Sequence, residues 1–338
     1  MQRRPVFLST MAFLLPVMAG VHLFLGFSPT DLPQLLFALP GSDAQSFEEA
    51  VLLYQRVPRT LIALYVGGVT AVCGFVLQSL VRNPLASPTT LGVNAGAALF
   101  LVAGVLLFNL DTALQGAAAL AGALSGFLAS LAVAKAAGRQ NDPRGLSLIL
   151  SGALVAMFFT GLTNALLLSD PARRSDLLSW IVGTINHAYA DRLALFWWVG
   201  AIAICVLLVL ARPLTLILFG AEKAASTGVN VPIVSGLAIL AAVLGAGSAV
   251  AICGPIGFVG LVVPHIVRPL VGNNLRIALP AAFLTGAMVC ILADLVGREA
   301  LRPFSLSTGL VTDLVGGVVF VLIIKRFYLS PGAQQEAA

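Results

Sequence analysis

The sequence predicts an all-α membrane protein that crosses the bilayer about ten times, and three observations support this fold class. The 338 residues are 59% hydrophobic and only 10% charged, whereas soluble domains carry about 25% charged residues. The mean hydropathy is +1.00, and the apolar residues form long runs that supply roughly ten segments of about 20 residues. The 33 glycines and 18 prolines agree, since both are commoner in membrane helices than in soluble ones. We therefore expect residues 1–338 to form one transmembrane domain.

A sliding hydropathy window places the spans in order along the chain. They are 5–27, 57–80, 91–108, 113–136, 145–168, 192–211, 231–253, 258–271, 278–296 and 310–326. The eighth is too short to cross alone at about 1.5 Å per residue, so we expect it to be tilted or covered by protein. The first span could be a cleaved signal peptide. Its apolar run exceeds a typical signal core and lacks a small-x-small cleavage site, which favours a retained span.

The distribution of Lys and Arg predicts that both termini are cytoplasmic, since these residues resist translocation. In that orientation the cytoplasmic side holds twelve of the 19 Lys and Arg residues, namely Arg3, Arg4, Arg82, Lys135, Arg139, Arg144, Arg212, Lys223, Arg268, Arg276, Lys325 and Arg326. The outside holds the other seven, Arg56, Arg59, Arg173, Arg174, Arg192, Arg298 and Arg302. The arginines on the outside therefore need a separate explanation.

Three connections between spans are long. Residues 28–56 and 169–191 lie outside, and we expect the second to carry a short amphipathic helix at the membrane surface. Residues 212–231 lie inside, and there two glycines bracket two turns of good helix formers. This predicts a short cytoplasmic helix over about 220–228, with the residues Gly220, Ala221, Glu222, Lys223, Ala224, Ala225 and Gly228.

The sequence lacks the residue patterns of ATP-binding, metal-binding and nucleic-acid-binding sites. A phosphate-binding loop needs a lysine after a glycine, but Lys135, Lys223 and Lys325 all follow other residues, so ATP must bind elsewhere if it is used. The three histidines, His22, His187 and His265, show no metal-ligand spacing, so we expect no metal site. The four cysteines fall in apolar runs as packing residues. Scattered single Lys and Arg residues exclude a nucleic-acid surface.

Acidic residues are scarce in the predicted spans. Asp294 and Asp313 are the two span acids, and both are predicted near helix ends. Ion-driven carriers usually place acids in the middle of spans, so this pattern does not favour them. Asp294 and Arg298 are four residues apart on one helix, which predicts a pair at the membrane interface.

Two irregular segments interrupt the apolar runs, Asn83–Gly96 and Gly254–Gly260. Non-helical backbone at membrane depth is tolerated where protein covers it or where it lines a watery cavity. These segments therefore favour a transport pathway, with tight turns packed at the interface as the alternative. A faint repeat at an offset of 180 residues aligns Gly67, Ala71, Cys73, Gly74 and Pro84 with Gly247, Ala251, Cys253, Gly254 and Pro264. A genuine duplication would make the second and seventh spans oppositely directed.

Five stretches resemble the iron-siderophore, haem and cobalamin permease family of ATP-binding-cassette importers, the type II importers. They are RVPRTLIALYVGG at 56–68, NPLASPTTLGVNAGAA at 83–98, GAEKAASTGV at 220–229, GPIGFVGLVVPHIVR at 254–268 and RIALPAAFLTGAMVCILADLVGR at 276–298. The resemblance implies a permease subunit of a bacterial inner-membrane importer that has no enzymatic activity itself. It also implies four kinds of partner: a second permease subunit, identical or paralogous, two cytosolic ATPase subunits that bind ATP and Mg, a soluble substrate-binding protein, and membrane lipid.

The resemblance also implies roles for named residues. Arginines at the start of the second span and after the ninth dock acidic residues of the binding protein, and these positions hold Arg56, Arg59 and Arg298. Snorkelling to lipid headgroups is the alternative. The short helix at 220–228 would dock into the ATPase as a coupling helix, although a freely solvated turn would look similar. Asn83, Pro84 and Leu85 would line the cytoplasmic gate.

The form ASPTTLG at 86–92 resembles siderophore-type members, so a ferric siderophore is the expected cargo and haem or cobalamin the alternative. Two further rivals belong to other classes. An ion-coupled secondary transporter would be recognised by acids in the middle of its spans. A membrane-embedded enzyme or assembly scaffold would purify without an ATPase.

Overall fold

The computed structural model describes residues 3–27, 44, 46–137, 145–301 and 304–327. Within these ranges, side chains are described only between residues 7 and 322. It is all-helical over these residues, and each predicted span corresponds to a helix. We number the long apolar helices α1 Arg3–Phe24, α2 Val57–Val81, α3 Val93–Phe108, α4 Thr112–Ala136, α5 Leu146–Ser169, α6 Ala190–Val209, α7 Val231–Cys253, α8 Val259–Val271, α9 Leu275–Glu299 and α10 Thr308–Phe327. Helical backbone also precedes α2, as Phe47–Ala50 and a π-helical turn Val51–Arg56. Residues 28–43 and 45 of the predicted 28–56 connection lie outside the described residues. The last part of the connection, residues 47–56, is helical.

Length separates the helices into two groups. Among the residues whose side chains are described, seven helical segments are long and apolar enough to cross a membrane, whereas α3 and α8 are shorter. At about 1.5 Å per residue, the 16 residues of α3 and the 13 of α8 extend about 24 and 20 Å, less than a hydrocarbon core of about 30 Å. Both short helices follow an irregular segment, so the segment spans the remaining depth.

Helix α2 lies at the centre of the bundle. In the most apolar 18-residue stretch of each helix, 83% of the residues are buried for the segment that contains α2 and 72% for α7. The corresponding share for α1 is only 6%. Small residues allow the central helices to approach closely. A Cβ atom on Gly67 would overlap the carbonyl oxygen of Gly286 in α9, and a Cβ on Gly74 would overlap the carbonyl oxygen of Gly260. Close backbone approach at small residues is a usual means of helix association in membranes.

The second and seventh spans are oppositely directed, as the repeat required. Tyr65, near the start of α2, is 2.7 Å from the hydroxyl of Ser248, near the end of α7. Further along α2, Cys73 lies against Gly245, which is earlier in α7. We call the end of the bundle where α2 begins the Arg59 end, and the opposite end, where α2 stops at Arg82 in a left-handed conformation, the Asn83 end.

Three short helices lie at the two ends. Arg174–Ile181, the external helix, is at the Arg59 end, where it buries Leu177 and Trp180 and leaves its charged residues exposed. This confirms the predicted short amphipathic helix in residues 169–191. Ala211–Leu218 and Ala221–Ser226 follow each other at the Asn83 end. The second confirms the helix predicted at about 220–228, and its flanking glycines, Gly220 and Gly228, both have positive φ.

Candidate translocation pathway and docking surface

A buried ion cluster joins four helices at the Arg59 end. Asp294 of α9 is fully buried, and Arg59 of α2 donates to its two oxygens through Nε at 2.7 Å and Nη2 at 2.9 Å. Thr308 of α10 donates to it at 2.8 Å, and His22 Nε2 of α1 lies 2.9 Å away. His22 Nδ1 is in turn 2.7 Å from Thr60 Oγ1. The carboxylate is thus satisfied on every side, as a buried charge requires.

The other two predicted docking arginines bind the last residues of α1. Arg56 Nη1 donates to the carbonyl oxygens of Leu23 and Leu25 at 2.7 and 2.8 Å, and its guanidinium lies 3.7 Å from the centre of the Phe27 ring. Arg298 Nη2 donates to the carbonyl of His22 at 3.2 Å. Arg56, Arg59 and Arg298 therefore converge around the end of α1, although Arg298 is far from the other two in sequence.

The predicted pairing of Asp294 with Arg298 is wrong. Arg298 forms its ion pair with Glu299, Nε to Oε1 at 3.3 Å, while Asp294 pairs with Arg59 and His22. The i, i+4 spacing permits a contact on an isolated helix, but Asp294 points into the bundle, where Arg59 and His22 from other helices are closer. The sequence offered no signal for His22 or Thr308, because their contacts with Asp294 span 272 and 14 residues.

The two irregular segments meet beside α2. A narrow gap there, too small to hold a water molecule, is bounded by Val66, Thr70, Pro88, Asn94 and Ile256, together with residues of α7 and Gly254. The polar side chains of the Asn83–Gly96 segment bond to its own backbone and to each other: Thr90 Oγ1 accepts from the amide of Ser87 at 2.8 Å, and Asn94 Nδ2 donates to Thr89 Oγ1 at 2.9 Å. Non-helical backbone therefore reaches membrane depth from both ends, covered in part by protein.

The predicted gate residues follow the end of α2. Asn83 is 6% exposed, and its Oδ1 accepts a hydrogen bond from the amide of Leu85 at 2.9 Å. Pro84 and Leu85 are half-buried. Asn83 and Pro84 border a cavity of about 220 Å³ shared with Arg82, Arg268 and Asn273. Within one chain Pro84 and Leu85 are therefore more accessible than Asn83, and the role of the three residues as a gate stays a prediction.

The short helix Ala221–Ser226 exposes nearly all of its side chains. Ala224 is buried against the chain, whereas Glu222, Lys223 and Ala225 are exposed, as is Gly228 beyond the helix end. Ala221 is half-buried, and Gly220 begins the helix. A helix this short is marginal alone, so the contact of Ala224 with the chain holds it in place. Its exposed face is compatible with a docked partner.

Comparison with known proteins identifies a family with this sequence. The model of the FecCD transport family matches residues 13–326. The chain is 31% identical over 323 residues to the "Probable siderophore transport system permease protein YfiZ" of Bacillus subtilis, covering 95% of this chain and 96% of that one. It is 33% identical over 324 residues to the ferric enterobactin transport system permease protein FepD of Escherichia coli, covering 96% of each.

A solved structure extends the likeness to three dimensions. It is described as an inward-facing conformation of a metal-chelate type ABC transporter, and it superposes with a TM-score of 0.77 at 26% identity over 95% of this chain and 99% of that one. The apolar helices make this chain a multi-pass membrane protein. Sequence and structure agree over nearly its whole length, and the chain belongs to the FecCD transport family.

Proposed function

We propose that this chain is the permease subunit of an ATP-driven importer of iron chelates, with a ferric siderophore as its cargo. The family match over residues 13–326 carries the proposal. Relatives named for siderophore, enterobactin and iron-citrate transport support the cargo, at 31–36% identity. Haem is the second candidate cargo, because the hemin permease HmuU of Yersinia pestis is 35% identical over 80% of this chain. Cobalamin is a further candidate, because a cobalamin permease of Halobacterium salinarum is also similar.

The proposed complex has four further components. Two ATPase subunits bind ATP and Mg and contact the helix Ala221–Ser226. A substrate-binding protein docks at Arg56, Arg59 and Arg298. A second permease, identical or paralogous, completes the pathway and places Asn83, Pro84 and Leu85 at its cytoplasmic gate. The chain itself binds no cofactor, hydrolyses no ATP and contacts lipid. The exposure of Glu222, Lys223 and Ala225 supports the ATPase contact.

The proposed location is the bacterial inner membrane, with the Asn83 end and both termini in the cytoplasm. Lys135, Arg212, Lys223, Arg268 and Arg276 lie at or near the Asn83 end of their helices, as the positive-inside rule requires for a cytoplasmic face. A cysteine at Lys135 should then react with an impermeant thiol reagent only in opened cells, and one at Arg174 in intact cells.

Reconstitution tests the function directly. The chain is placed in proteoliposomes with a cassette ATPase, and uptake of radiolabelled iron as a ferric siderophore is measured with its binding protein and ATP. We expect uptake that requires both ATP and the binding protein and persists when an ionophore collapses ion gradients. Uptake that stops with the ionophore while ATP remains would identify an ion-coupled transporter instead. Ferric siderophore, haem and cobalamin are compared in the same vesicles.

A further inference from the structure

Asp313 is an acidic residue at membrane depth that the ion cluster does not use. Asp294 precedes the end of α9 at Glu299 by five residues, about 7.5 Å along the helix. Thr308, at the start of α10, bonds to Asp294 and so lies at the same depth. Asp313 is five residues further along α10, about another 7.5 Å. It therefore lies about 15 Å below the end of α9, which places it inside a hydrocarbon core about 30 Å thick.

Asp313 lies near the start of its helix, as expected from the sequence. The first turn of α10 nevertheless contacts Asp294 inside the bundle, so the start of this helix lies below the end of α9. An ionisable side chain at such a depth normally faces the interior of an assembly or a water-filled cavity, because a charge facing lipid is costly.

The surroundings of Asp313 are open rather than paired. It is exposed on the surface of the single chain, and the described residues give it no hydrogen bond or ion pair. Its Oδ1 lies directly against Gly257, where a Cβ atom would overlap it. One turn along the same face of α10, Gly317 has nothing within 4 Å of a Cβ position. The carboxylate thus stands beside the irregular Gly254–Gly260 segment, next to open space.

Three surfaces could face this carboxylate: lipid, a second copy of α10, or an aqueous pathway. Lipid is excluded by the cost of the charge. The neighbouring exposed residues Leu314, Val315 and Val318 offer no cation to a symmetry-related Asp313, and two carboxylates facing each other would repel. An aqueous pathway solvates the carboxylate and also accommodates the irregular backbone at Gly257.

We propose that Asp313 faces the translocation pathway and contacts the transported chelate, favouring iron chelates that carry a cationic amine. This inference rests on the proposed function, because it assigns a class of substrate to that transport pathway. A carboxylate accepts charge-assisted hydrogen bonds from an ammonium group. It repels a chelate that carries free carboxylates. Asp313 would therefore act in the permease, after the binding protein has made its own selection.

Accessibility tests the position of Asp313 without requiring transport. Asp313→Cys is made in a chain whose native cysteines Cys73, Cys205, Cys253 and Cys290 are replaced by alanine, and it is assembled with its partner subunits. We expect a water-soluble cationic thiol reagent to label it, and the iron chelate to slow that labelling. Ile202→Cys, on an exposed apolar position of α6, is the lipid-facing control and should remain unlabelled. Absence of labelling at 313 in every nucleotide state overturns the proposal.

Uptake of a matched pair of chelates tests the specificity in the native-cysteine background. The pair is an iron trihydroxamate with a free amine and the same compound with that amine acetylated, delivered by one binding protein. We expect the wild type to favour the free amine and Asp313→Asn to reduce this preference about tenfold, the size of one hydrogen bond to a charged group. Asp111→Asn, at a helix N-cap where Asn is equally suitable, should retain the wild-type preference.

The possible outcomes separate the two proposals. A preference that is absent in the wild type, or that survives Asp313→Asn, overturns the role of Asp313 while iron uptake still supports the proposed function. Labelling of Asp313→Cys without ATP-dependent uptake of any iron chelate contradicts the proposed function instead. If cross-linking of Asp313→Cys to the second permease replaces labelling by the soluble reagent, Asp313 is a subunit contact and the proposal fails.

Discussion

Arg59 binds Asp294 through its Nε and Nη2 nitrogens, so that a residue expected to dock a partner protein is held by an acid 235 residues away in its own chain. Its side chain retains 17% exposure, and Asp294 has none. This geometry uses one edge of the guanidinium for the bundle and leaves Nη1 for another contact. The bundle contact therefore leaves part of Arg59 available for the proposed docking role, and mutation can distinguish this role from the structural one.

Removal of the acid should destabilise the bundle. Asp294→Ala leaves Arg59, His22 and Thr308 without their shared acceptor, and breaking a buried pair costs about 3–5 kcal/mol. We expect a clear fall in the thermal unfolding temperature of the detergent-solubilised protein. Asp111→Asn, which keeps a capping side chain at the same end of the bundle, is the control and should match the wild type. Equal unfolding temperatures for Asp294→Ala and the wild type would show that the cluster contributes little.

Charge reversal should separate docking from stability. Arg56→Glu and Arg298→Glu should weaken the affinity for the binding protein by about three- to tenfold, and more strongly at low salt, because partly exposed charges are then less screened. Both variants also lose hydrogen bonds to carbonyl oxygens at the end of α1, so their unfolding temperatures are measured alongside docking. Arg59→Glu should also lower the unfolding temperature, since it places a second carboxylate beside Asp294. Arg174→Glu on the external helix is exposed at the same end and serves as the control. If none of the three reversals changes the affinity for the binding protein, these arginines are lipid anchors instead.

The close contact of α2 with the Gly254–Gly260 segment predicts a strong effect at Gly74. A methyl group there would overlap the backbone of Gly260, so the helices must separate, and such overpacking costs about 1–3 kcal/mol or more. We expect Gly74→Ala to lower both the unfolding temperature and the yield in membranes. Gly236→Ala, which meets nothing within 4 Å, should be neutral or slightly stabilising. Similar results for the two variants would contradict this packing argument.

Most of the helical framework could be predicted from the sequence, because span length and hydropathy are local properties. The predicted 231–253 coincides with α7, and the first span, predicted at 5–27, is the helix Arg3–Phe24. Pairings between helices could not be predicted. His22 reads as an isolated residue, yet it contacts an acid near the other end of the chain. The depth of Asp313 depends on how α10 packs against α9, which no local pattern encodes.

The helix Ala221–Ser226 predicts a variant that uncouples ATP hydrolysis from transport. Ala225 is exposed while its neighbour Ala224 is buried, so Ala225→Glu changes the outward face without disturbing the contact that holds the helix. We expect the assembled complex to retain ATPase activity but to lose most of its uptake. Lys135→Glu, exposed at the same end of the bundle, is the control. Unchanged uptake and unchanged ATPase affinity in Ala225→Glu would exclude this helix as the coupling element.

The last prediction concerns the segment that follows α2. Arg82 ends the helix with positive φ, and Pro84 has no N–H and keeps Asn83 out of helical geometry. The chain must therefore turn here, and the turn presents Leu85 while Asn83 is largely buried. In a complex with two copies of this chain, Leu85 from each side could close a narrow exit by excluding water. A gate of this kind would bring the two residues together in one nucleotide state only.

Cysteine cross-linking tests that gate. Leu85→Cys and Asn83→Cys are made in the cysteine-free chain, and cross-links between subunits are compared with and without ATP. We expect Leu85→Cys to cross-link efficiently in one nucleotide state and poorly in another. Asn83→Cys should react more weakly, because position 83 is covered and the substitution also removes the hydrogen bond to the Leu85 amide. Val133→Cys, on an exposed apolar position of α4 near the same end, should not respond to nucleotide. If no cross-link forms in any nucleotide state, the segment is not a gate, and the alternative interpretation of a tight turn packed at the interface holds.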